Sequence, residues 1–95
     1  MDEFELAIGA LKAKFLIRLE AERDDLVAAK RGPDRAALHD MAHRMAGSAG
    51  VFGFPRLSQQ AAALQKAVRD DGARHDPTME IDRLLAEIDA ALERR

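Results

Sequence analysis

Apolar residues recur at helical spacing along the whole chain, and turn residues divide the pattern into four segments. In residues 2–30, Phe4, Ile8, Leu11, Phe15, Leu19 and Leu26 fall near one face of a 3.6-residue period. Gly9 is where this segment could divide into a short lead-in helix and a main one. Gly32-Pro33 predicts its end, with Pro33 in the first turn of the next helix. The second segment, residues 33–51, carries Leu38, Met41, Met45 and Ala49, and Phe52 extends the same face. Gly53-Phe54-Pro55 closes it, because glycine accepts a left-handed cap and the residue before proline avoids the α region. Leu57, Ala61, Leu64 and Val68 form one stripe over residues 55–71, ending at Asp70-Asp71-Gly72. Asp76 then reads as an N-cap and Pro77 as the first residue of a fourth helix through Leu92. Its stripe is Ile81, Leu84, Leu85, Ile88 and Leu92.

Four amphipathic helices with short connections predict an all-α, up-and-down four-helix bundle. Nineteen alanines and scarce β-branched residues reinforce helix and let helices approach closely. A chain of 95 residues has room for one core, so residues 1–95 are expected to form a single domain. The absence of cysteine removes disulfides, thiolate metal sites and cysteine nucleophiles. Fifteen basic and 17 acidic residues nearly cancel, and there is no Trp or Tyr. The basic surface and stacking aromatics of a nucleic-acid binder are therefore missing, and the four Phe fit core positions. The run from Glu20 to Asp25 reads as solvated helix surface. No signal-like or membrane-spanning stretch occurs, so a cytoplasmic protein with no membrane partner is expected.

The informative stretch is His39 to Gly50. At about 100° per residue, Leu38, Met41, Met45, Ala49 and Phe52 all lie within roughly 60° of the direction opposite His43. His43 is thus predicted to face outward. Ala46, Gly47 and Gly50 share its face. Each glycine inside a helix costs on the order of 1 kcal/mol against alanine. That cost is understandable if the face must stay bare for a phosphoryl group or a partner, or if the helices must pack closely there.

The stretch His43-Arg44-Met45-Ala46-Gly47-Ser48-Ala49, followed by Gly53 and Leu57, resembles the histidine phosphotransfer (HPt) family. That family's motif is a histidine, any residue, an apolar residue, usually Lys or Arg, then Gly and a small residue, with a further Gly and Leu downstream. The chain departs from it at Ala46, where the basic residue would offset phosphate charge. Arg44 lies about 100° round the helix from His43, a poor direct substitute. The resemblance implies that His43 accepts the phosphoryl group. It also implies that Gln65 hydrogen-bonds the imidazole, and that Arg69, one turn on, supplies positive charge. Gly47 keeps access open. Ala36, His39, Asp40, Arg44, Ala46 and Gly50 make the docking surface.

By the same resemblance the chain is a carrier, not an enzyme with its own nucleotide site, and no P-loop or glycine-rich kinase loop occurs. Its partners would be response-regulator receiver domains and a hybrid histidine kinase. Mg²⁺ is expected on the receiver and no cofactor in this chain, which would act as a monomer. Two other readings stay open. One is a degenerate HPt bundle that binds partners without phosphate. The other is a zinc hydrolase built on His39 and His43, an i, i+4 pair with Asp40 between them and His75 as a remote third ligand. Asp40 is a methylene short of the usual general base, so no metal is expected.

Overall fold

Side-chain caps and one glycine set the helix limits. Asp2 Oδ1 accepts from the Glu5 N–H at 2.7 Å, opening α1 (Glu3–Ala29). Asp34 Oδ1 accepts from the Ala37 N–H at 3.1 Å, opening α2 (Arg35–Val51). Pro55 opens α3 (Pro55–Asp70). Asp76 Oδ1 accepts from both the Thr78 N–H, at 2.9 Å, and its hydroxyl, at 2.6 Å, ahead of α4 (Thr78–Glu93). The computed structural model describes residues 1–32, 34–70 and 76–95, and these four helices and no strand occur among them.

Three boundaries differ from the sequence pattern. Gly9 does not divide the first segment, since α1 runs unbroken for 27 residues. One interior glycine costs about 1 kcal/mol, too little to break a long helix whose other residues favour it. The second helix starts at Arg35 because Asp34 takes the capping position. Thr78 rather than Pro77 is the first residue of α4, and Pro77 rather than Asp76 takes the N-cap position; Asp76, one residue earlier, accepts from the Thr78 N–H. Pro33 and the stop expected at Asp71-Gly72 lie outside the described residues.

The turn from α2 to α3 positions the site. Gly53 adopts φ +84°, and the Phe54 N–H folds back to the Ala49 carbonyl at 2.9 Å. This is the left-handed cap that the glycine allows. Gly53→Ala is expected to cost about 1–2 kcal/mol in denaturant unfolding, because a Cβ disfavours this backbone conformation.

Contacts between helices fix an antiparallel register throughout. Phe15 faces Phe52 and Glu22 faces Arg44 across α1 and α2. Ser58 reaches Ala46, and Arg35 reaches Val68, across α2 and α3. Arg56 meets Glu87 across α3 and α4. Asp89 pairs with Arg23 at 2.5 Å and Asp82 with Lys30 at 2.7 Å, closing α4 on α1. The hydrogen-bonded Arg23 guanidinium holds the Asp89 carboxyl below its ordinary pKa. The result is an up-and-down four-helix bundle.

The core contains Phe15, Leu19 and Leu26 from α1, with Leu38, Met45 and Ala49 from α2. From α3 and α4 come Leu57, Ala61, Leu64, Val68, Ile81, Leu84 and Ile88. Met41, Phe52, Leu85 and Leu92 are partly buried against it. Phe4 and Leu11, expected in the core, are instead 73% and 51% exposed. At 1.5 Å per residue α1 is roughly 40 Å long and its partners roughly 24–26 Å, so its first turns run past the bundle. No helix among the described residues is long and apolar enough to cross a membrane.

Candidate functional site

Burial of Leu38, Ala42, Met45 and Ala49 fixes the rotation of α2 and leaves His43 exposed on the opposite side. Ala36, Asp40, Arg44, Gly47 and Gly50 are also exposed, and His39 is half-buried. Ala46 is not part of a bare face: it is half-buried against the core, and its carbonyl accepts from the Ser58 hydroxyl at 2.7 Å. That bond draws α3 against α2 beside the histidine.

The two glycines differ in what surrounds them. A Cβ on Gly47 would meet nothing within 4 Å, so close helix packing does not require glycine there. A Cβ on Gly50 would lie 3.6 Å from Ser58 Oγ, an ordinary contact.

Gln65, half-buried on α3, reaches across to α2. Its amide Nε2 lies 3.1 Å from His43 Nδ1 and 3.5 Å from His39 Nε2. The two imidazoles are parallel, with centroids 6.4 Å apart, and His39 Nδ1 is 3.3 Å from Asp40 Oδ1. Arg69 is exposed in the last turn of α3. The structure thus brings together His39, His43 and Gln65, three residues from two helices.

The Hpt domain family model matches residues 10–94. The chain belongs to the Hpt domain family. No curated protein and no solved structure matches it. Hpt domains are histidine phosphotransfer carriers of two-component signalling, not kinases, and they work with receiver domains and histidine kinases.

In this Hpt domain the Gln65 amide faces His43 Nδ1, so the amide's orientation and the ring's tautomer are linked. With the NH₂ group toward His43, Gln65 donates to Nδ1 and the neutral ring carries its proton on Nε2. A half-turn of the amide presents Oε1 instead. Nδ1–H then donates to it, and the Nε2 lone pair is bare. The second arrangement is the nucleophilic one.

No group of three His, Cys, Asp or Glu residues that could hold a metal occurs among the described residues. His39 and His43 share the Gln65 amide, and His75 lies outside the described residues.

Sequence reasoning missed the α1 side of the Hpt domain. Glu22, read as solvated surface, is 7% exposed. Its oxygens lie 3.8 Å from Arg18 Nε and 3.8 Å from Arg44 Nη2. Burial raises its pKa above the ordinary carboxylate value, with the two arginines pulling the other way. A signal was present: Glu22 follows Leu19 by three and precedes Leu26 by four, which is a core position. Arg18, His43, Arg44, Gly47 and Ser48 line one groove between α1 and α2.

Proposed function

We propose that this Hpt domain carries a phosphoryl group on His43 Nε2, taken from an aspartyl phosphate on one receiver domain and passed to another. The observation that carries the reading is the outward His43 side chain with its Nδ1 engaged by Gln65 from the neighbouring helix. With the amide turned so that Oε1 accepts from Nδ1–H, Gln65 fixes the ring by one nitrogen and leaves the Nε2 lone pair to react.

In the transfer step the Nε2 lone pair bonds to phosphorus as the P–O bond of the acyl phosphate breaks. The electron pair leaves with the aspartate carboxylate. The Nδ1 proton stays on the ring, donated to Gln65 Oε1, so the product is a cationic imidazole bearing a dianionic phosphoryl group. Phosphoryl transfer asks chiefly for positioning and charge stabilisation. The receiver brings Mg²⁺ and most of the reacting groups, so this chain needs no cofactor of its own. Ala36, His39, Asp40, Arg44 and Gly50 surround His43 as the docking face, with Ala46 packed behind it, and Arg69 adds positive charge on the α3 side. The domain acts as a monomer in the cytoplasm, with receivers and a hybrid histidine kinase as partners.

Ala46 favours a second reading, a phosphate-independent interaction module, because it brings no charge one turn beyond His43. Incubation with receivers loaded from acetyl phosphate separates the two. Label arriving on the chain supports the carrier; stable binding to receivers without label supports the module.

Access to the ring gives a further expectation. Gly47→Gln places a long side chain one turn beyond His43 on its face and should slow transfer from a phosphorylated receiver. Helix propensity alone predicts a gain of up to ~1 kcal/mol in stability. A variant both more stable and fully active in rapid-quench transfer would contradict the access role.

A further inference from the structure

His43 stands between two flanks. On the α3 side Gln65 contacts Nδ1; on the α1 side the ring lines a groove with Arg18, Arg44 and Gly47. A phosphoryl group on Nε2 would carry close to two negative charges, which need cations nearby. Ala46, one turn beyond the histidine, brings none. The angle that turns Arg44 away from His43 along α2 turns it toward α1, where Arg18 projects into the same groove.

Both guanidinium groups are drawn to that wall by the buried Glu22 carboxylate, yet each stays 3.8 Å from it. That exceeds charge-assisted hydrogen-bond length, about 2.7–2.9 Å, so Glu22 holds neither arginine by a direct hydrogen bond. Their side chains are 52% and 58% exposed, so the heads can turn into the groove. Two arginines and one carboxylate leave a surplus positive charge beside the imidazole. Planar guanidinium forks suit phosphate oxygens.

We propose that Arg18 and Arg44 form the cationic side of the phosphoryl site, binding the phosphoryl oxygens from the α1 groove while Gln65 holds the ring from α3. The inference rests on His43 being the phosphoryl acceptor.

The test uses phosphoramidate, a small donor that needs no protein partner, and follows loading and decay of phosphohistidine by intact mass and ³¹P NMR. Arg18→Gln/Arg44→Gln would strand the buried Glu22 charge, so the variant combines Arg18→Gln, Glu22→Gln and Arg44→Gln. It should load at least roughly tenfold more slowly, the lower bound expected for losing one hydrogen bond to a charged group. Its residual rate should be less sensitive to salt than that of the parent. Adding Ala46→Lys to the triple variant should restore loading by returning a cation one turn beyond His43, its flexible stem carrying the ammonium out from the half-buried position. Equal rates and equal salt dependence in parent and triple variant would overturn the proposal, as would a loss that Ala46→Lys does not reverse. Failure of the underlying reading looks different: the parent would not load, or His43→Gln would load as well as the parent.

Discussion

His43→Gln should abolish phosphoryl acceptance from a phosphorylated receiver while leaving the fold intact. Glutamine offers no imidazole lone pair, so the P–N bond cannot form. The residue is exposed and contributes nothing to the core, and exposed substitutions usually change stability by under ~0.5 kcal/mol. Loss of the Gln65 contact leaves that amide half-buried at the edge of α3, where solvent can replace the histidine. Circular dichroism and thermal unfolding should therefore match the parent, and only radiolabel transfer should vanish. A variant that still takes label would move the acceptor elsewhere. One that unfolds would mean His43 supports the bundle.

The largest effect on stability is expected at Leu64→Ala. Leu64 is fully buried on α3, in the stripe of Leu57, Ala61 and Val68 that faces the other helices. Removing its branched end forfeits transfer free energy and leaves a cavity, a combined cost of about 2–5 kcal/mol. Domains of this size have only about 5–15 kcal/mol in total, so the midpoint of denaturant unfolding should fall sharply. Leu64 also precedes Gln65, so a loosened α3 should slow phosphotransfer as well. Ala63→Ser, on the exposed side of the same turn, should stay within ~0.5 kcal/mol of the parent. If both variants unfold alike, the orientation assigned to α3 is wrong.

The helix stripes were legible in the sequence to different degrees. Leu57, Ala61, Leu64 and Val68 keep strict i, i+3, i+4 spacing along a helix flanked by partners of similar length, and all four are buried. Phe4 and Leu11 keep the spacing too, but periodicity says only which face is apolar. It does not say how far a neighbouring helix extends, and here the neighbours stop short. Charge composition misled in another way at Glu22, where a run of charged residues concealed one that points between Leu19 and Leu26 into the bundle.

At the site, the outward direction of His43 followed from the positions of Leu38, Met45 and Ala49, since a buried front defines an exposed back. The Gln65 contact with the imidazole was implied by the family resemblance rather than by the helix stripe, whereas the 3.5 Å approach to His39 required the packing of α3 on α2. The groove that joins Arg18 to Arg44 is a tertiary feature between helices 26 residues apart along the chain at those two positions. No local pattern announces it.

The most direct test of the central claim is to locate the phosphoryl group itself. The chain is loaded by a phosphorylated receiver and its histidines are mapped by ³¹P and ¹⁵N NMR together with peptide mass spectrometry. The account predicts a single acid-labile, base-stable phosphoramidate on Nε2 of His43, with His39 and His75 unmodified. A phosphoryl group on another residue, or an acid-stable ester, would contradict it.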